Sequence, residues 1–163
     1  MKRIILLAVL TIGVMTQSMA QKFGHANFEE IVGLLPERSA AEKEVQDLQK
    51  KLEARLNSMV EAYQVKATDF QMDTTLTSGM RTSLRNEIAD MEKRIQEFQQ
   101  TAYTEIEMKQ TELMGNMINK VRAAAVEVGT EESYTYIFDG SNGTLLYAGG
   151  EDVTSKIKTK LGI

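Results

Sequence analysis

The chain has 163 residues, enough for one domain, with no cysteine and a single histidine. That composition excludes a disulfide framework and a thiolate zinc centre, and its lone histidine is more often structural than catalytic. The formal net charge is −4, which argues against nucleic acid as the main ligand, because phosphate binding needs a positive field.

Residues 1–20 read as a leader. Lys2 and Arg3 make a positive start, Ile4 to Val14 is a short apolar run, and "MTQSMA" puts small Ser18 and Ala20 where a signal peptidase cuts. The expectation is export with cleavage after Ala20. A membrane anchor is the alternative, but the run falls short of the ~20 residues that usually span a bilayer. Without cysteine there is no lipoprotein anchor. Loss of Lys2 and Arg3 leaves 17 basic residues against 23 acidic ones, so the mature chain sits at about −6. A periplasmic location is expected, in a single domain over residues 21–163.

"KFGHAN" (22–27) predicts a short strand, and Asn27 with Glu30 resembles a capping box opening a helix in "FEEIVGLLPE". Pro36 marks a break or a new start. From Glu37 to Met72 there is neither Gly nor Pro, and Ala41, Val45, Leu48, Leu52, Leu56, Met59, Tyr63 and Phe70 form a helical stripe. "MDTTLTSGM" (72–80) interrupts it with turn-forming residues. The stripe resumes through Leu84, Ile88, Met91, Ile95, Phe98, Ala102, Ile106, Leu113, Met117, Val121 and Val128, and Gly129 is the expected stop. This is a helical hairpin of two arms, roughly 50 Å and 75 Å long. Each stripe is narrow, so the far end of the hairpin is expected to be weakly braced.

The chain closes differently. "YTYIF" alternates as a strand does, "DGSNG" is a turn cluster and "TLLYA" a second strand, after which Asp152 caps a helix carrying Val153, Ile157 and Leu161. In this reading Tyr134, Tyr136 and Phe138 share one strand face and Ile137 takes the other. The expected fold is mainly α with a small antiparallel β body (21–35 and 130–163) and a helical arm (36–129). So small a sheet, apolar on both sides and open at both edges, is not secure alone. Several copies are therefore expected to share one body through Phe23, Tyr134, Tyr136, Ile137, Phe138, Leu145 and Tyr147.

The order of elements resembles the Skp/OmpH family of periplasmic chaperones over the whole mature chain. The strand-to-helix entry is "HANFEEI" and the closing signature is "LLYAGGEDVTSKI" with the terminal "LGI". The resemblance implies a homotrimer with a β-rich body and helical tentacles enclosing a cavity. It also implies that unfolded outer-membrane proteins are held there without ATP. The chain departs from the strongly basic character associated with the family. Charge-driven client capture and lipopolysaccharide binding therefore lie outside what the resemblance carries over.

The residues themselves read as a holding surface. All seven methionines of the mature chain lie on the hairpin, and methionine suits surfaces that accept many apolar shapes. Met91 and Met117 sit in the stripe and read as filling between the arms. The stretch from Leu56 to Leu84 has few charges, and Met59, Tyr63, Phe70, Met72, Leu76, Met80 and Leu84 are its candidate client contacts; packing of the tip on another subunit is the alternative. Catalytic residues, metal and cofactor are all expected to be none. His25 lies in a strand, "DGSNG" lacks a calcium loop's spacing, and "AGGED" is too short to cradle a nucleotide. The rival function is a structural coiled-coil adaptor or spacer of the cell envelope.

Overall fold

A computed structural model describes residues 21–163; the expected leader lies outside them. The elements in chain order are β1 (Phe23–Ala26), α1 (Phe28–Leu34), α2 (Glu37–Met72), α3 (Ser78–Glu131), β2 (Tyr136–Asp139), β3 (Glu151–Asp152) and α4 (Thr154–Leu161). They divide into two units, one of residues 29–123 and one of residues 21–28 with 124–162. Among the described residues no helix is long and apolar enough to cross a membrane.

The first unit is an antiparallel helix pair. Ion pairs mark successive levels: Glu37 with Lys120, Glu44 with Lys109 at 3.1 Å, and Glu87 with Lys66. Arg55 lies 5.0 Å above the Phe98 ring, and Arg81 lies 5.3 Å from that of Phe70. Every stripe position expected from the sequence is buried or half-buried. Full burial is confined to the α1 end, at Ile31, Leu35, Leu52, Met117 and Val121. No residue from 53 to 116 is buried, because each arm has only one partner there. The turn is held by local bonds: the Asp73 carboxylate accepts from Thr75 N–H (2.8 Å) and hydroxyl (2.6 Å), and Arg81 donates to the Asp73 carbonyl at 3.1 Å. The Thr75 bonds hold Asp73 below the usual carboxylate range.

In the second unit, α3 runs two residues past the expected stop at Gly129. Ser133 takes the left-handed conformation (φ 57°), Tyr134 N–H reaches the Gly129 carbonyl at 2.9 Å, and Ser133 N–H reaches Thr130 at 3.4 Å. This is a Schellman ending with serine where glycine fits best. Ser133→Gly should therefore stabilise the protein by about 0.5–1 kcal/mol, seen as a higher urea midpoint at unchanged slope.

The sheet corrects the antiparallel expectation. Its order is β2-β1-β3, and both outer strands run parallel to β1, with Phe23 opposite Tyr136, His25 opposite Phe138, and His25 opposite Asp152. "TLLYA" is not a strand here; residues 140–150 carry the chain from one sheet edge to the other. Side chains in "DGSNG" satisfy their own backbone: Asp139 accepts from Ser141 N–H at 2.9 Å and Asn142 from Thr144 N–H at 3.2 Å. Such bonds offer the segment an alternative to a hairpin ladder. The third strand is Glu151–Asp152, just after Gly150. A Cβ on Gly150 would stand 2.7 Å from the Phe23 carbonyl oxygen, so glycine lets the crossover lie against β1. Gly150→Ala should lower stability by roughly 1–3 kcal/mol, measurable as a drop of several degrees in melting temperature.

The inner sheet face holds Gly24 and Ala26, both buried, and the fully buried Val153 and Ile157 lie at the start of α4 and within it. Asp152 precedes that helix as expected, and its carboxylate accepts from Thr154 N–H at 2.9 Å. The Thr154 hydroxyl oxygen in turn accepts from Asn27 N–H at 2.9 Å. That link ties the end of β1 to α4 and satisfies a buried hydroxyl.

Candidate assembly and client-binding surfaces

Parallel register brings three rings together on the outer face of the sheet. Phe23 and Tyr136 lie 6.0 Å apart with planes 6° from parallel, and Tyr136 and Phe138 lie 5.9 Å apart. All three are exposed. Leu146 and Tyr147, on the crossover, are 101% and 87% exposed. Apolar side chains massed on one small surface are less common than single scattered ones.

Tyr134 does not join them. It precedes β2, is buried, and its ring lies 3.1 Å from where a Cβ on Gly24 would stand. Of the other residues expected in the body, Ile137 is half-buried with its Cδ1 3.5 Å from the Cβ position of Gly129, and Leu145 is half-buried beside Gly140. Phe23, Tyr136 and Phe138 are brought together; Tyr134 belongs to the core. His25 lies in β1, with its Nδ1 buried and without a protein partner.

Tyr134 is framed by four charges that pattern reading missed. Lys22 Nζ stands 3.8 Å above the ring centroid, and Lys156 Nζ is 3.4 Å from its hydroxyl. Lys156 pairs with Glu132 at 2.5 Å and Glu151 at 2.6 Å, and Lys22 with the same two carboxylates at 3.3 and 3.4 Å. Glu151 comes from a sheet edge, Glu132 from the end of α3 and Lys156 from α4, so no local sequence signal joins them. The Lys156 ammonium, followed by the Tyr134 hydroxyl, brings the Glu151 carboxyl down to about 2. Lys156, then Lys22, lowers Glu132 as well. Glu132, then Glu151, raises Lys156.

The sign follows from linkage. A carboxylate whose folded value is depressed stabilises the fold above its unfolded value near 4.5 and loses that contribution as pH falls toward 2. The protein should therefore lose melting temperature between about pH 4.5 and pH 2. Glu151→Gln should flatten that limb while leaving the curve between pH 6 and 8 nearly level, as read by calorimetry across a pH series.

On the helix pair, the candidate client residues divide. Met59, Tyr63, Phe70, Leu76 and Leu84 are half-buried, whereas Met72 and Met80 are exposed, Met72 at 76%. Val65 is exposed as well, and so are Tyr103, Met108 and Met114 farther along α3. Sequence reasoning missed the α3 group as a surface, although its signal was present: these are apolar residues out of phase with the stripe. Met80 apart, the methionines follow the same rule. Met117 in the stripe is buried and Met59 and Met91 are half-buried, while Met72, Met108 and Met114 stand out of phase and exposed.

Among the described residues, no group of three or more His, Cys, Asp or Glu side chains is placed to hold a metal ion. The described chain thus combines a two-helix arm with exposed apolar side chains and a small sheet with an exposed aromatic face. Residues 22–161 match the family described as outer membrane protein (OmpH-like). The chain belongs to this Skp/OmpH family. It is similar to the chaperone protein Skp of Pectobacterium atrosepticum, with 23% identity over 139 residues, covering 85% of this chain and 84% of that protein.

Proposed function

We propose that this protein is an ATP-independent periplasmic holdase that binds unfolded outer-membrane β-barrel proteins between helical arms and keeps them from aggregating. The family match across nearly the whole described chain carries the reading. The exposed, out-of-phase apolar residues of the arm support it. Unfolded chains present many different apolar shapes, and flexible methionines can meet them with many weak contacts. Each covered patch contributes about 25 cal/mol per Å² removed from water. The proposed contacts are the exposed Val65, Met72 and Met80 together with the half-buried Met59, Tyr63, Phe70, Leu76 and Leu84 of the distal arm.

The assembly proposed is a homotrimer, joined through a body of residues 21–35 and 130–163. Phe23, Tyr136 and Phe138 would lie at its subunit contacts, with Leu145 and Tyr147 of the crossover adding to them. "TLLYA" has strand character and, among the described residues, no ladder partner, and β2 there has one unpaired edge, so pairing between copies would satisfy both. The proposed working form is the mature chain starting at Gln21.

The test is suppression of aggregation when a urea-unfolded outer-membrane β-barrel is diluted into buffer with residues 21–163. Strong suppression near about one trimer per client, without nucleotide, is expected. No suppression by folded, oligomeric protein would overturn the holdase reading and favour an envelope adaptor.

A further inference from the structure

A groove runs along one side of the helix pair, between α2 and α3. It is lined by the apolar side chains of Leu48 and Met108 together with the carboxylates of Glu44, Asp47, Glu105 and Glu112. Met108 is 68% exposed, although it stands in the middle of an otherwise charged stretch of helix. One ammonium offsets these carboxylates: Lys109, 3.1 Å from Glu44 and 3.7 Å from Glu112. Asp47 and Glu105 take part in no ion pair within the described chain. Four carboxylates and one ammonium thus line the groove beside two apolar side chains.

We propose that this groove binds the cationic, aliphatic segments of an unfolded client. Lysine and arginine lay a hydrocarbon stem on apolar surface while keeping the charged head at its edge. The apolar side chains of Leu48 and Met108 match the stem, and the carboxylates of Asp47 and Glu105 match the head. An acidic segment of equal apolarity meets like charge at the same place. The field of the mature chain, at about −6, acts in the same direction over longer range. This inference rests on the holdase reading and adds a preference for the sign of charge on the bound segment.

The probes are two labelled, unstructured peptides of equal length and identical apolar residues, one bearing lysine and arginine and the other glutamate. Binding to residues 21–163 is read by fluorescence anisotropy at low and physiological salt. The cationic peptide should bind at least about tenfold more tightly at low salt, with the gap shrinking as salt rises. The double variant Asp47→Asn, Glu105→Gln should cut that gap to about threefold or less, since exposed charge pairs contribute modestly. Glu92→Gln, elsewhere on α3, should leave it intact. Equal binding of the two peptides, tighter binding of the acidic one, or a gap that survives the double variant would each overturn the groove assignment. If barrel aggregation is still suppressed in those cases, only the groove falls. If the barrel is not held either, the holdase reading falls with it.

Discussion

Tyr136→Glu with Phe138→Glu should convert the proposed trimer into folded monomers. Both rings are exposed in the single chain, so the carboxylates would be hydrated there and the fold would keep its sheet and helices. In an assembly that covers this face, each subunit would lose two aromatic burials at about 1.5–3 kcal/mol apiece. It would also have to strip water from two charges. The combined effect is a more than hundredfold weaker association. Sedimentation equilibrium at micromolar concentration should show the mass of one chain, with the far-ultraviolet circular dichroism unchanged. An unchanged assembly mass would show that copies meet elsewhere. Tyr136→Phe is the matching control and should leave the mass as it was, because it keeps the ring.

The second large effect concerns the arm. Val65, Met72 and Met80 are exposed. Replacing all three by glutamate should therefore preserve the hairpin. The cost to the helix is limited to like-charge neighbours such as Asp69, a few tenths of a kcal/mol each. Client capture should suffer far more. The amount of protein needed to halve the aggregation of an unfolded barrel should rise about tenfold or more. Met72→Glu alone should change it less than about twofold, because many weak contacts share the load. A large loss from the single change, with the fold intact, would point to one specific site instead. No loss from the triple change would move the binding surface to the groove or to the exposed Tyr103 and Met114.

The two surfaces were unequally legible in the sequence. On the arm, phase separates Met117 in the stripe from Met72 outside it, and burial follows that division. On the sheet, alternation placed Tyr136 and Phe138 together correctly but added Tyr134 to their face. The left-handed turn at Ser133 swings Tyr134 out of the strand's register and into the core beside Gly24. The charge frame around that ring joins residues from the end of α3, a sheet edge and α4, so no short window could reveal it.

The two long helices and the break between them were readable from local pattern. The contacts that make a helix lie three or four residues apart, and a stripe of that period is local information. Also readable were the strand at Phe23–Ala26 and the closing helix with Val153 and Ile157 on its buried side. The pairing of the strands was set by the folded unit. "YTYIF" and "TLLYA" looked like neighbours because a turn cluster lies between them. Instead, β2 and β3 each take an edge of β1, whose residues are over a hundred positions away. A strand's partner is chosen by whichever edge is open and whichever face can be buried, and both are properties of the folded unit.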